Sequence, residues 1–132
     1  MIRLSFPYCE IGKTLYSSSD EVWLLIADTT RWHEWGTSIS RVDCADKYIR
    51  KETRGRVNLR LGIWVPFVIS YFEDKRYWSW DIWGIRATGH RVEPLGENSC
   101  NIFFEVPSLA APYLFICWIA LKRIEAILQQ AT

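Results

Sequence analysis

The feature that most constrains this chain is a change of hydrophobic period. Across residues 38–106 apolar side chains recur at every second position, and across 109–130 they recur at helical spacing. Val57, Leu59 and Leu61 alternate with Asn58 and Arg60, and Trp78, Trp80 and Ile82 alternate with Ser79 and Asp81. His90 and Val92 alternate with Arg91 and Glu93, and Ile102, Phe104 and Val106 with Phe103 and Glu105. A period of two places successive side chains on opposite faces of a strand. Turn formers separate the runs at Cys44-Ala45-Asp46-Lys47, Gly62, Glu73-Asp74-Lys75, Gly84 and Gly96-Glu97-Asn98-Ser99. Six strands with short connections predict an antiparallel meander with one buried and one wetted face.

Pro107 and Ser108 end the strands, and the spacing predicts a helix over 109–130 with Pro112 in its first turn, where a missing N–H costs little. Tyr113, Ile116, Cys117, Ala120, Ile124, Ile127 and Leu128 form a core-facing stripe, and Leu114, Trp118 and Leu121 a second one. That second stripe is covered by a sheet wrapping both sides, by a homodimer interface, or by a membrane-touching patch. Ahead of the meander, residues 1–16 read as a first strand. Ser18 and Glu21 have capping-box spacing, and Val22, Leu25 and Ile26 then mark a short helix over 22–27. Asp28-Thr29-Thr30 starts a second short helix through Trp32-His33-Glu34-Trp35, stopped by Gly36. Neither helix is long enough to stand alone. A sheet with one apolar face and a long helix with an apolar stripe must pack together. The expected fold is α+β, a helix-grip arrangement: about seven antiparallel strands curved around the long C-terminal helix, with two short helices after the first strand. The whole span, 1–132, is expected to form a single domain.

Composition narrows the function. Sixteen basic and fifteen acidic residues are interleaved, so no basic stripe offers itself to phosphates and a nucleic-acid partner is not expected. Cys9, Cys44, Cys100 and Cys117 are scattered, with no paired metal spacing and only two histidines to assist. No metal and no cofactor are expected, and free thiols point to the cytoplasm. The longest apolar run, 113–121, is far below the ~20 residues of a transmembrane helix, and the N-terminus lacks a signal-peptide pattern. Aromatic residues make up 15% of the chain, more than closing a small core requires, and rigid rings are economical pocket walls.

Several segments resemble the polyketide cyclase/dehydrase-like branch of the START/Bet v 1-like (SRPBCC) superfamily. They are Trp32-His33-Glu34-Trp35, the stretch Arg76-Tyr77-Trp78-Ser79-Trp80-Asp81, the following Gly84-Ile85-Arg86-Ala87-Thr88-Gly89-His90-Arg91-Val92-Glu93-Pro94-Leu95-Gly96, and Ala120-Leu121-Lys122-Arg123-Ile124. The resemblance implies a cavity between the concave sheet and the long helix, in which relatives bind lipids, sterols, quinones, polyketides or plant hormones and a minority transform them. Physics limits that cavity. A dry void of ~300 Å³ costs on the order of 7 kcal/mol at ~24 cal/mol per Å³, against a domain stability of ~5–15 kcal/mol. The pocket must be small, wet or occupied.

The candidate ligand-binding residues are Trp32, Trp35, Trp78, Trp80, His90, Val92, Phe104, Tyr113, Ile116 and Cys117. His90 faces inward by alternation, either as a polar anchor or acid/base or as a core histidine satisfied by its neighbours. Trp78 and Trp80 share its side of the sheet. Gly62-Ile63-Trp64-Val65-Pro66 reads as a loop, either a lid or a plain hairpin whose Trp64 folds back, and Trp83 falls on the outer face. Three functions remain open: binding, as carrier or sensor, of a hydrophobic small molecule; cyclase or dehydratase chemistry through His90; and protein interaction through Trp64, Trp83 or the second helical stripe. No nucleophile elbow, phosphate loop or zinc-helix motif is present.

Overall fold

The computed structural model describes residues 1–130; Ala131 and Thr132, the end of the span expected to fold as one domain, lie outside the described residues. The strands are β1 (Ile2–Arg3), β2 (Tyr8–Leu15), β3 (Ile39–Cys44), β4 (Arg54–Leu59), β5 (Trp64–Glu73), β6 (Tyr77–Ile82), β7 (Ile85–Gly96) and β8 (Ser99–Pro107). They form one antiparallel sheet of eight strands in the order β1-β2-β8-β7-β6-β5-β4-β3. Consecutive strands from β3 to β8 are neighbours, as a meander requires, and β2 closes against β8, with Ile11 opposite Phe104. The helices are α1 (Ser19–Ala27), α2 (Trp32–Trp35) and α3 (Leu114–Gln130). α3 packs against β2, β8 and α2. The sheet wraps the long C-terminal helix, the helix-grip fold.

Local chemistry places the elements. The Ser18 hydroxyl accepts the Glu21 N–H at 3.2 Å and so caps α1. The Asp28 carboxylate accepts from the Thr30 N–H (3.0 Å) and hydroxyl (2.6 Å), starting the 3-10 turn Thr29–Arg31 that leads into α2. Gly36 N–H donates to the Trp32 carbonyl at 2.8 Å, and α2 stops because Gly36 turns extended at φ −79° and ψ 105°; a Cβ there would lie 2.9 Å from that oxygen. The β6–β7 turn holds Trp83 at φ 54° and Gly84 at φ 75°, consecutive left-handed residues as tight hairpins need.

Four expectations are corrected. Residues 1–16 form two strands, β1 and β2, so the sheet has eight strands rather than about seven. The expected loop 62–66 ends early: β5 begins at Trp64, whose ring lies under the Arg56 guanidinium at 4.5 Å, so it is a hairpin ring folded onto the sheet rather than a lid. Leu61 sits at that hairpin tip and is exposed, not in register with buried Val57. The helix expected over 109–130 is a 3-10 segment, Ser108–Tyr113, followed by α3. Leu114 and Leu121 of the second stripe are buried because sheet and short helices cover both flanks of α3, while Trp118 stays exposed.

Candidate functional site

The concave face of the sheet carries a packed cluster of rings. Trp32 is fully buried, and its Nε1–H donates to the Ile26 carbonyl at 2.9 Å, which fixes the indole as an anchor. It stacks on Trp78 with ring centroids 5.2 Å apart and meets Trp80 edge-on at 5.2 Å. Trp35, one helical turn on, tilts against Phe104 at 5.6 Å. Offset and edge-to-face arrangements such as these contribute about 0.5–1.5 kcal/mol per pair beyond the area they bury.

Between this cluster and α3 lies a cavity of about 100 Å³. Nine of the candidate residues line it: Trp32, Trp35, Trp78, Trp80, His90, Phe104, Tyr113, Ile116 and Cys117. Val92 does not. It is fully buried two residues beyond His90 toward the far end of β7, on the correct face but outside the lining. The lining also includes Thr37, Ser38 and Thr88, which were not among the candidate residues, although alternation puts Thr88 on the His90 face. Thr88 could have been found, since it sits two residues before His90 on the same strand face; Thr37 and Ser38 lie in a connection with no period to read. The volume is somewhat below that of an apolar cavity known to admit benzene, ~150 Å³. A shallower groove of about 270 Å³ adjoins it and shares Trp80, Ile82, Thr88 and Tyr113. Tyr113 stands between the two spaces, its hydroxyl 3.0 Å from the Ser38 hydroxyl.

His90 is held on both nitrogens. Nδ1–H donates to the Trp78 carbonyl at 3.2 Å, leaving Nε2 to accept from the Thr88 hydroxyl at 3.3 Å. The Thr88 oxygen in turn accepts from Trp80 Nε1–H at 2.9 Å. The chain Trp80 to Thr88 to His90 to Trp78 is therefore complete without any further partner. Burial disfavours the imidazolium and lowers the His90 pKa from 6.5 to about 3, although the bond to the Trp78 carbonyl opposes the shift. At neutral pH this histidine is uncharged, with its proton and lone pair both engaged.

The unmet polarity lies elsewhere. Among the described residues, four buried side-chain polar atoms lack a partner, and three of them, Trp35 Nε1, Thr37 Oγ1 and Trp78 Nε1, belong to residues of the cavity lining. The fourth, Ser79 Oγ, is on the opposite face of β6, where alternation led us to expect a wetted residue. Natural structures satisfy nearly all such atoms, and each buried orphan costs about 1–3 kcal/mol.

No protein-family model matches the sequence, and no curated protein does. Solved structures match along most of the chain. A START superfamily protein from Mycobacterium smegmatis superposes with a TM-score of 0.72 at 14% identity, covering 95% of this chain and 99% of its own. BexL, the di-domain ARO/CYC of the BE-7585A biosynthetic pathway, gives 0.72 at 12% identity, covering 92% of this chain and 46% of that protein. XoxI from Bacillus cereus gives 0.71 at 16% identity, covering 92% and 95%. The fold is thus the START-like, polyketide cyclase-like helix grip that the sequence resembles.

Proposed function

We propose that the chain binds a small, flat, apolar molecule whose polar end is a hydrogen-bond acceptor, and that it acts as a carrier or sensor rather than a catalyst. The observation that carries this reading is the pair of unpartnered indole N–H groups, Trp35 Nε1 and Trp78 Nε1, in residues that line a cavity walled by rings. An arriving carbonyl or similar acceptor would recover the hydrogen bond that folding leaves unmade, while the rings take up the apolar body. A ligand larger than one ring would extend past Tyr113 into the adjoining groove. The START-like and cyclase-like neighbours support a hydrophobic ligand, and the four free thiols fit a cytoplasmic setting.

The closed bonding of His90 argues against the cyclase or dehydratase alternative, because an acid or base needs a proton or lone pair free for the substrate.

Acetophenone and ethylbenzene form a direct test, being nearly the same shape with and without a carbonyl. Tryptophan fluorescence titration is expected to show acetophenone binding about tenfold more tightly, and Trp35→Phe is expected to remove most of that preference. Equal affinities, or binding of neither, would count against the reading.

A further inference from the structure

The open end of the grip exposes apolar side chains that folding does not use. On the β6–β7 turn Trp83 is 66% and Ile85 72% exposed; Leu109, on the 3-10 segment Ser108–Tyr113, is fully exposed; Phe115, in the first turn of α3, is 65% exposed. Trp83, Ile85 and Leu109 each adjoin in sequence a residue that lines the groove outside Tyr113, and Phe115 follows Tyr113 by two. The groove outside Tyr113 has Ile82, Arg86 and Ala87 on one bank and Pro107, Ala110 and Tyr113 on the other. The β4–β5 turn, bearing exposed Leu61, joins the same surface: Arg60 N–H donates to the Ser38 carbonyl at 3.2 Å, and Ser38 bonds Tyr113.

Charge on this surface is segregated. The chain as a whole is nearly balanced, with sixteen basic and fifteen acidic residues, yet residues 59–63, 82–86 and 107–124 contain no aspartate or glutamate. They contain Arg60, Arg86, Lys122 and Arg123. Arg86 is matched by Glu105 at 3.7 Å; among the described residues no carboxylate pairs with Arg60, Lys122 or Arg123. Lys122 Nζ lies 4.7 Å from the centre of the half-exposed Trp118 ring, so an aromatic body and a cationic head share one ridge of α3. Aromatic and aliphatic tips ringed by unpaired cations suit a lipid headgroup layer, which accepts separate protruding side chains to a depth of ~5–10 Å without needing a complementary relief.

We propose that this end of the molecule docks on the surface of an anionic lipid bilayer, with Trp83, Ile85, Leu109 and Phe115 entering the headgroup region and Arg60, Lys122 and Arg123 facing lipid phosphates. The proposal does not depend on what the cavity holds. Flotation with vesicles of equal parts phosphatidylcholine and phosphatidylglycerol is expected to carry the protein, and vesicles of phosphatidylcholine alone to carry much less. Trp83→Asn, chosen because asparagine tolerates the left-handed backbone there, and Leu109→Ser are each expected to weaken partitioning about tenfold. Lys122→Gln and Arg123→Gln should each weaken it on the order of fivefold, and added salt should do the same. All four side chains are exposed, so melting temperatures should stay within a degree or two of the parent's, roughly the scatter expected of surface changes. No flotation with the mixed vesicles at low salt, or equal flotation of parent and variants, overturns the proposal. So does sedimentation showing, without lipid, a dimer that Trp83→Asn dissolves, since the surface would then belong to a second copy of the chain.

Discussion

The His90 imidazole lies nearly flat on the Trp78 indole, ring centroids 3.8 Å apart and planes 24° from parallel, while its Nδ1–H donates to the carbonyl of that same tryptophan. The two residues face each other across the β6–β7 ladder. Stacking and hydrogen bonding hold one tautomer in one orientation, and the burial they require opposes protonation.

Stability should therefore depend on pH through this side chain. The unfolded histidine binds a proton below about 6.5, whereas the folded one binds it only near 3. Between those values the unfolded state holds more protons, so stability is complete above pH 6.5 and falls as pH drops, at roughly 1.4 kcal/mol per unit. Urea midpoints at neutral pH and one unit below 6.5 should show the loss, and His90→Gln should flatten the profile in that window. An unchanged profile in the variant would assign the slope to other groups.

Thr88 joins one donor, Trp80 Nε1–H, to one acceptor, His90 Nε2, and neither has another partner among the described residues. Thr88→Val removes the hydroxyl at similar volume and leaves Trp80 Nε1–H and His90 Nε2 unsatisfied, with an expected cost of about 1–3 kcal/mol. Thr88→Ser keeps the hydroxyl and should recover most of it. Chemical denaturation of the two variants decides the matter.

Tyr113→Phe deletes the contact with Ser38 and leaves the ring in place. A bond this exposed contributes little to folding, so stability should change by under about 1 kcal/mol. Entry and exit of a cavity probe such as acetophenone should quicken, which stopped-flow fluorescence can read. Unaltered rates would mean that Tyr113 does not control passage between the cavity and the groove.

On the outer face of the sheet, the Tyr77 hydroxyl donates to Glu105 and accepts from Arg86, and burial together with the Glu105 charge pushes the phenol up to about 12. Gly89 makes room for this group: an added Cβ would lie 2.5 Å from the Tyr77 oxygen and 2.6 Å from a Glu105 oxygen. Gly89→Ala should destabilise the protein by about 1–3 kcal/mol, and Gly89→Ala combined with Tyr77→Phe by less than the sum of the two.

The parts legible in the sequence were those set by periodicity. Alternation assigned His90, Trp78 and Phe104 to one face, and helical spacing assigned Cys117 and Ala120 to the buried side of α3, because each follows from backbone geometry alone. Depth along a strand was not legible: Val92 shares the His90 face yet lies past the cavity. Nor was the partner of Thr88, since Trp80 reaches it only through the register between β6 and β7, which shifts between Ser79 and Asp81. The break between β1 and β2 was hidden because Leu4 and Phe6 keep the apolar look of a strand where the chain turns. Thr37, whose hydroxyl is among the unmet polar atoms, sits in a short connection that carries no pattern.

The closure of β2 against β8 has a consequence for how the chain comes to be folded. Tyr8 lies opposite Pro107 and Thr14 opposite Asn101, so β2, flanked on its other edge by only the two residues of β1, has as its long partner the last strand of the sheet. Until β8 has been made, one whole edge of β2 stays unpaired, and joining it to β8 must close a long loop of chain. Substitutions along this seam should therefore slow folding and invite aggregation of nascent protein before they harm the finished molecule.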